Sequence, residues 1–276
     1  MSFLTSLSGL KAAQSDLAVV SNNIANGSST GFKKSRAQFG DLFAASPTQT
    51  TSKIAGQGVQ LQGIKQQFTQ GTLESTDRTL DLAVAGEGFF VVKSANATEA
   101  ITYTRNGSFS VNNKREVVDS GGSIVQMLPV DANGVMSSTS PADMINLVLP
   151  QTDPSDPNAV LANVSVANNG NIIATYSNGN QQALGSLAMA SFVAVEGLRP
   201  VGDAHWQATG TSGLAEIAQA GTGQLGTVRS GSLETANIDM TEELVSLIAA
   251  QRNFQANAQA IETANKMTQT IVNLQV

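Results

Sequence analysis

The sequence predicts an α+β fold, with a long helix at each end of the chain and an antiparallel β domain between them. Apolar residues recur at spacings of three and four in residues 1–26 and again in residues 239–276, which is typical of amphipathic helices. The central part instead alternates apolar and polar residues around asparagine–glycine pairs, which is typical of strands joined by tight turns. We therefore expect a linker over residues 27–58 and a β-rich domain over residues 59–238.

The first helix carries more apolar surface than one partner helix can cover. Its main stripe is formed by Phe3, Ser6, Leu10, Ala13, Leu17, Val20 and Ile24. Further apolar surface beside that stripe comes from Leu4, Leu7, Ala12, Ala18 and Val19. Because these residues lie on several sides of the helix, contact with more than one neighbour is expected.

The first helix is predicted to end in the sequence NNIANGSSTGFKKS at residues 22–35. Asparagine favours turns over helices, and Gly27 is the residue type that commonly follows a helix C-terminus. The asparagines are Asn22, Asn23 and Asn26. Beyond them, Gly31 permits a bend and Phe32 offers an apolar anchor. The basic residues expected to face water or an acidic neighbour are Lys33, Lys34 and Arg36.

The second helix is predicted to begin after Asp239. Glu242 follows three residues later, which gives a start similar to a capping box. The apolar face is formed by Leu244, Leu247, Phe254, Ala258, Ile261, Met267, Ile271 and Leu274. No proline or glycine interrupts residues 239–276, so a continuous helix would be about 55 Å long at 1.5 Å per residue. A helix of that length needs partners to stabilise it.

Two asparagine–glycine pairs mark expected turns in the β domain. Asn106-Gly107 lies in ITYTRNGSFSV, between two alternating runs that are expected to form a hairpin. Asn178-Gly179 lies in IIATYSNGNQQALG. Residues 131–170 are rich in Gly, Ser, Thr, Pro and Asn and are predicted to be loop-rich.

Composition argues against several functional classes. The net charge of −6, with no basic face, argues against binding to nucleic acid. The absence of cysteine and the single histidine exclude thiol chemistry and a Cys/His zinc site, and no acidic cluster is spaced to hold a divalent cation. No apolar run approaches the roughly 20 residues that span a bilayer, and no cleaved secretory signal is evident. We expect no cofactor, no metal and no membrane insertion.

Two short patterns suggest an enzyme, and both have simpler explanations. GTGQLG at residues 221–226 matches the dinucleotide fingerprint, but the following TVRSGSLE has no helical pattern to direct a helix N-terminus at phosphate. His205 beside Trp206 could be a catalytic base. No nucleophile pattern or acidic partner is evident from the sequence, so a structural pair in the β domain is the simpler interpretation.

The sequence resembles the flagellar rod and hook proteins along nearly its whole length. The N-terminal signature is NNIANGSSTGFKKSRAQFGDLF, followed by DLAVAGEGFFVV and YTRNGSFSV. The strongest match is GSLETANIDMTEELVSLIAAQRNFQANAQAIETANKMTQTIVNL. ATYSNGNQQALG and GLRPVGDAHWQATGTSG are most similar to hook proteins. These motifs occur in the order of the family, and the ordered set identifies the chain as a member.

The resemblance implies a structural role rather than an enzymatic one. In this family the terminal helices pair as a coiled-coil-like layer that lines a tube, and the β domain forms the outer layer. The implied function is a hook subunit that self-assembles into a flexible tubular coupling, exported through the flagellar channel to the cell exterior. The alternative is a stiff rod subunit of the basal body. Implied partners are copies of the same chain, rod, hook-cap and hook–filament junction proteins, and the export apparatus.

The chain departs slightly from the family's Thr-x-Gly-Phe-Lys segment, because Gly31 follows Thr30 directly, and departs more at two other places. NNKREVV replaces the common Asp-x-x-Gly-x-Leu-Val after the predicted hairpin, which puts the local turn in doubt. Hook proteins also usually carry an additional outer domain in the middle of the β region, for which residues 121–170 leave little room. The chain therefore resembles a short hook protein, a rod protein with hook-like features, or a shortened hook protein.

Overall fold

The computed structural model describes residues 2–43, 56–94, 100–130 and 141–273. The chain forms two compact units, which confirm the predicted α+β class. The helical unit comprises Met1–Gly27, Lys34–Gln67 and Ile238–Val276. The β unit comprises Ser28–Lys33 and Phe68–Asn237.

The helical unit contains both terminal helices and one pair of strands. The helices are α1 (Ser2–Ala25) and α2 (Met240–Asn273), and the strands are β1 (Ser35–Phe43) and β2 (Gly56–Gln66). Asp239 Oδ1 accepts hydrogen bonds from the backbone N–H groups of Thr241 at 2.8 Å and Glu242 at 3.2 Å. This N-cap satisfies two amides of the first turn and confirms the predicted start of α2.

The stretch expected to be a linker includes part of a β-hairpin. β1 pairs with β2 antiparallel, from Ser35 opposite Gln66 to Phe43 opposite Gly56. The six residues Ser28–Lys33 belong to the β unit, and residues 44–55 lie outside the described residues. The expected linker thus contains β1 and the start of β2; it was assigned from the Gly, Ser, Thr, Pro and Asn content of residues 27–58.

The β unit is built from short strands. They are β3 (Leu73–Ser75), β4 (Leu82–Ala85), β5 (Phe89–Lys93), β6 (Ile101–Thr104), β7 (Ser110–Val111), β8 (Val117–Val118), β9 (Ile124–Leu128), β10 (Ile145–Asn146), β11 (Thr152–Asp153), β12 (Asp156–Val166), β13 (Asn171–Tyr176), β14 (Gln181–Leu187), β15 (Met189–Ser191), β16 (Arg199–Gly202), β17 (His205–Gln207), β18 (Glu216–Ala218), β19 (Thr227–Ser230) and β20 (Ser232–Glu234). Two 3₁₀ turns are Pro141–Asp143 and Val195–Gly197.

Most of these strands form one antiparallel sheet. Its main path runs β11-β12-β13-β14-β9-β5-β6-β17-β16, with β10 and β8 paired to β9, β7 paired to β8, and β15 paired to both β5 and β18. Two separate pairs, β19-β4 and β20-β3, join the C-terminal strands of the unit to its first strands. The last strand before α2 therefore lies beside the first strand of the β unit.

Strand β5 carries a hydrophobic cluster on each of its faces. Successive side chains of a strand point to opposite sides of the sheet. Phe90 packs edge-to-face on Phe109, with ring centroids 5.4 Å apart, in a cluster that also contains Leu82. Phe89 packs on Trp206, with centroids 5.6 Å apart, in the second cluster. These buried aromatic pairs fix the middle of the sheet.

The hairpin predicted at Asn106-Gly107 is wrong. β6 pairs with β5 and β17 and not with the strand that follows Gly107. The backbone of Gly107 lies directly against Leu82, whose N–H donates to Gly107 O at 3.0 Å, and a Cβ on Gly107 would overlap the carbonyl oxygen of Leu82. Glycine is required here because two chain segments cross closely, and not because a tight turn needs a positive φ.

Of the predictions for the other turns and for the loop-rich region, some are confirmed and others are not. Asn178-Gly179 does connect an antiparallel pair, β13 and β14, with Gly179 at φ +83°. NNKREVV also forms a turn, because Asn112 Oδ1 accepts from two amides at 2.9 Å and Arg115 adopts φ +64°. Residues 131–140 lie outside the described residues, but the expected loop-rich region also contains the long strand β12. Asp, Pro and Asn within this strand gave it the composition of a loop.

Candidate assembly site

The terminal helices lie side by side and run antiparallel. Asn23 Nδ2 donates to Glu243 Oε2 at 3.2 Å near one end of the pair. Further along, a Cβ on Gly9 would lie 2.6 Å from Asn257 Oδ1, so the helix backbones approach closely there. The step from Gly9 to Asn23 has the same length as the step from Asn257 back to Glu243. One antiparallel register therefore holds between these two points.

The same register leaves the C-terminal end of α2 beyond the start of α1. It places Ser2 level with Ala264, so residues 265–273 extend further. At 1.5 Å per residue this overhang is about 13 Å long. It carries Met267, Ile271 and Val272, which are 64%, 60% and 57% exposed.

Some of the predicted helix residues are shielded within the helix pair, and others are exposed on its outer surface. Less exposed positions of α2 recur at spacings of four and three, with Ser246 and Ala258 beside them: Glu243, Leu247, Ala250, Phe254, Asn257, Ile261 and Ala264. On α1, Val20 is buried, Leu7, Leu10, Leu17 and Ile24 are half-buried, and Phe3 is exposed. Leu244, Met267 and Ile271 are exposed on α2, and Leu274 lies outside the described residues. Leu244 is joined near the start of α2 by exposed Val245 and Ile248.

Asn23 is the residue of the asparagine motif that holds the helical unit together. Its Nδ2 donates to Ser35 O at 2.9 Å as well as to Glu243, and its Oδ1 accepts from Ser35 N at 2.9 Å. The side chain is only 2% exposed. It therefore links α1, β1 and α2 with hydrogen bonds that no apolar residue could replace. Sequence reasoning assigned Asn23 only to a helix end, because its partners are distant in the chain.

The other residues of the helix end have smaller roles. Asn26 Nδ2 donates to Asn22 O at 3.0 Å, and the Asn22 side chain is exposed. Gly27 does not adopt a positive φ, unlike the usual glycine after a helix. A Cβ at Gly27 would lie 2.7 Å from Met240 Cε, so glycine permits a close contact with the start of α2.

In the β unit, Gly31 provides the bend predicted from the motif. Its φ is +70°, and a Cβ there would lie 2.5 Å from the backbone nitrogen of Asn106. Its own N–H donates to Glu234 O at 2.8 Å. Phe32 is half-buried, with its N–H donating to Ser29 O. The Thr-Gly-Phe-Lys motif is thus inserted among residues of two other family motifs.

Lys33, Arg105 and Glu234 form a buried ion cluster in the β unit. Lys33 Nζ lies 2.6 Å from Glu234 Oε1, and Arg105 Nη1 lies 3.3 Å from Glu234 Oε2. Lys33 and Glu234 are fully buried and Arg105 is 3% exposed. Lys33 also donates to Thr69 O, and Glu234 accepts from Gly71 N. The sequence predicted that Lys33 would face either water or an acidic neighbour, and the structure shows the acidic neighbour, Glu234.

The ion cluster contains two cations and one carboxylate. Burial lowers the pKa of Lys33, while the charge and hydrogen bond of Glu234 act in the opposite direction. Burial likewise lowers the pKa of Arg105, again opposed by Glu234. Because a buried charge is costly without a partner, removal of Glu234 would leave two unpaired cations in the interior.

His205 has an acidic partner that the sequence did not reveal. Its Nε2 lies 2.6 Å from Asp119 Oδ2, and its Nδ1 lies 2.8 Å from Asp203 O. Burial lowers the pKa of His205, but the hydrogen bond and charge of Asp119 outweigh it, so the pKa lies above 6.5. The pair links residues 86 positions apart in the chain. The structural role of His205 stays a prediction, with Asp119 as the partner that the structure adds.

GTGQLG is followed directly by strand β19, in the place where the dinucleotide fingerprint requires a helix. In the described part of the chain, no cluster of three or more His, Asp or Glu residues could hold a metal ion. Within the same residues, neither helix is apolar enough over sufficient length to cross a membrane.

Comparison with known families and proteins identifies the class of the chain. Three family profiles match: "Flagella basal body rod protein" over residues 3–33, "Flagellar hook protein FlgE/F/G D1 domain" over 83–174, and "Flagellar basal body rod FlgEFG protein C-terminal" over 229–274. The flagellar basal-body rod protein FlgG of Bacillus subtilis is 33% identical over 284 residues, covering 99% of this chain and 98% of that protein. The chain therefore belongs to the family of flagellar hook and rod proteins, which are structural components of the flagellum.

Relatives of both kinds match along their whole length. The flagellar hook protein FlgE of Escherichia coli is 28% identical over 412 residues, covering 99% of this chain and 100% of that protein. Since this chain has 276 residues, the alignment is 136 positions longer than the chain and contains at least that many gaps in it. Among solved structures, Helicobacter pylori flagellar hook protein FlgE2 aligns at 16% identity with a TM-score of 0.25, covering 49% of this chain and 39% of that one.

Proposed function

We propose that this chain is the subunit of a flagellar hook that assembles into a flexible tube by contacts between its terminal helices. The observation that carries the proposal is the unequal length of the helices. α1 covers α2 as far as Ala264, and the remaining turns expose Met267, Ile271 and Val272. Exposed aliphatic side chains on an ordered helix are typical of a surface that another copy covers.

The helix pair is proposed to act as a coiled-coil-like layer that forms the inner wall of the tube. The spacing of the less exposed positions on α2 supports this arrangement, because spacings of four and three form a continuous seam. Leu244, Val245 and Ile248 lie outside that seam and are exposed. They offer a second surface for a neighbouring subunit, so each helix pair can contact copies on more than one side.

The hook proteins of Escherichia coli and Salmonella typhimurium and the rod protein of Bacillus subtilis each align with 99% of this chain, so coverage does not separate hook from rod. One sequence feature favours the hook. The stretch GLRPVGDAHWQATGTSG, which contains strands β16 and β17, is the segment that most resembles hook proteins. In this proposal the long gaps against those relatives mark a hook subunit with little or no additional outer domain.

The rod remains a second candidate because of chain length. The alignment with the rod protein FlgG of Bacillus subtilis spans 284 residues, close to the 276 of this chain. A rod subunit would use the same helix contacts but would form a stiff drive shaft. The further proposed partners are the same for both: neighbouring copies, the adjoining rod, hook-cap and hook–filament junction proteins, and the export apparatus.

Assembly is tested with the purified full chain. Electron microscopy should show tubes above a critical concentration, and a chain that remains monomeric at all concentrations would contradict the proposal. Hook is then distinguished from rod by complementation. Expression of the chain in a source strain that lacks its hook gene should restore curved hooks, whereas restoration of only a rod-deficient strain would assign it to the rod. Immunogold labelling outside the cell envelope is expected for a hook.

A further inference from the structure

We infer that a groove in the helical unit binds the overhang of α2, residues 265–273, from a second copy of this chain. The inference rests on the proposed polymer and names the surface that the overhang contacts. The groove lies between α1 and the β1–β2 hairpin, and its volume is about 340 Å³. Its walls include Ser15, Ala18, Val19, Asn22, Leu61 and Ile64.

One wall of the groove is a helix face with small side chains, and the other wall is aliphatic. On α1, Ser15, Ala18 and Asn22 are spaced by three and four residues and therefore lie on one face. On β2, Leu61 and Ile64 are three residues apart, a spacing that puts side chains on opposite faces of a regular strand. The register of β2 with β1 shifts by one residue between them, so both side chains reach the groove.

The groove is open and presents apolar surface without charge. Ile64 is 54% exposed, and Ala18 on the opposite wall is also exposed, so a partner has access to both walls. None of the described residues that line the groove is charged. A charged side chain buried here would have no ionic partner, which is costly. The expected occupant is therefore an uncharged segment with aliphatic side chains.

The overhang of α2 has that chemistry. Met267 and Ile271 are four residues apart, so they project from one face of the helix. They are 64% and 60% exposed in the single chain. Residues 267–272 have the sequence MTQTIV and contain no charged side chain. Because the helical wall of the groove has small side chains, an incoming helix can approach it closely and place both aliphatic side chains against Leu61 and Ile64.

Two other exposed apolar patches on the helices match the groove less well. Phe3 and Leu4 are adjacent in α1 and point in different directions, so they cannot enter one groove together. Leu244 and Ile248 have the same spacing as the overhang pair. However, the exposed Glu242 lies in the same turn of helix as Leu244 and would be brought towards the uncharged groove.

The register of the helix pair shows that the occupant must come from another copy. Along the helix axis, the centre of the groove lies about 33 Å from the centre of the overhang, at 1.5 Å per residue. A chain therefore cannot fill its own groove. A copy of the same orientation, displaced by that distance, can do so. Overhang and groove are different surfaces, so the contact repeats from copy to copy without closing, as a polymer requires.

Disulfide formation between single cysteines tests the contact, because the chain has no cysteine of its own. Full-length Ile64→Cys is mixed in equal amounts with full-length Ile271→Cys or Met267→Cys, assembled and oxidised. A disulfide requires Cα atoms within about 7 Å. Peptides joined between β2 and the overhang should therefore be the main linked product in mass spectrometry. Matched mixtures of Ile64→Cys with Ile248→Cys or with Leu4→Cys should give little linked product.

The outcomes of the cysteine test separate this inference from the proposed function. Polymers in which Ile64→Cys links mainly to Ile248→Cys, to Leu4→Cys or to a second Ile64→Cys would show that the groove has another occupant and would overturn the inference. Polymers without any link from Ile64→Cys to the overhang would do the same. A wild-type chain that forms no polymer would overturn the proposed function as well.

A second test measures whether groove and overhang act as one contact. Ile64→Glu places a charge in the groove and should raise the critical concentration for polymer formation about tenfold, whereas Gln60→Glu, on the same strand outside the groove, should have little effect. Combining Ile64→Glu with Ile271→Ser should raise it by less than the product of the two single effects, because both substitutions remove the same contact. Effects that multiply would mean two separate contacts and would overturn the inference.

Discussion

The overhang of α2 predicts a substitution that affects assembly but not folding. We expect replacement of Met267, Ile271 and Val272 together by serine to raise the critical concentration for tube formation about 30-fold. These side chains are 64%, 60% and 57% exposed in the single chain, so their loss removes little packing from the helical unit. The thermal unfolding transition of the monomer should therefore stay within about 1 °C of wild type, since exposed substitutions have small effects.

The magnitude follows from the exposed area. Complete burial of such a side chain contributes about 1.5–3 kcal/mol, so covering the exposed part contributes about 1–2 kcal/mol for each of the three. Ordering the side chains costs about 0.5–1 kcal/mol each. About 2 kcal/mol per subunit remains, which corresponds to roughly a 30-fold change in an association constant.

The assay is sedimentation of polymer across a series of protein concentrations, with electron microscopy of the pellets. A matched control replaces the intervening polar residues Thr268, Gln269 and Thr270 by serine, which changes the same turns without removing apolar surface. The control should assemble as wild type does. If the apolar triple variant also forms tubes at the wild-type critical concentration, the overhang is not a subunit contact and the reasoning from helix register is wrong.

Three further predictions concern the stability of the single chain. Asn23→Ala should lower the free energy of unfolding of the helical unit by about 2–4 kcal/mol, because it leaves buried hydrogen-bonding groups unpaired. The control Asn22→Ala changes an exposed side chain and should cost less than about 0.5 kcal/mol, with both values measured by urea unfolding. Gly31→Ala, at φ +70° against the Asn106 backbone, should destabilise the β unit more than Gly122→Ala, at φ +81° in open space; equal costs would contradict the role of close packing. Because folding raises the pKa of His205, protonated His205 should stabilise the folded chain fully below pH 6.5, and this stabilisation should be lost as pH rises through the folded-state pKa. The melting temperature of the wild type should therefore fall between pH 6 and pH 9, and His205→Gln should lack this fall.

The sequence predicted the elements whose signals are local. The stripe on α1 and the Asp239 cap each depend on residues within a few turns of helix, and both helices begin and end within a few residues of the expected positions. Asn178-Gly179 likewise forms its turn from its own backbone preference. In these cases local propensity and the tertiary structure favour the same conformation, so the pattern alone was sufficient.

The features that escaped prediction depend on partners far along the chain. Lys33 is buried beside Glu234, and Asp119 reaches His205 from the turn that follows β8. Asn106-Gly107 has a strong turn preference, but contact with Leu82 decides its conformation. Such contacts leave no periodicity in the sequence, because a single residue carries each of them. An alternation partly hidden by glycine and glutamine similarly concealed β1 and β2.

The ion cluster also determines when the β unit can complete its fold. Glu234 lies 201 positions after Lys33 and 129 positions after Arg105, so a chain delivered from its N-terminus presents both cations long before the carboxylate. Until residue 234 arrives, burial of Lys33 and Arg105 would place two unpaired charges in the interior, at a cost of several kcal/mol. A chain that lacks Glu234 is therefore expected to leave this part of the β unit unfolded. The β unit can complete its fold only when strand β20, which precedes α2 in the sequence, is present. Under the proposed export of the subunit through a narrow channel, this delay would keep the leading part of the chain unfolded until its end has emerged.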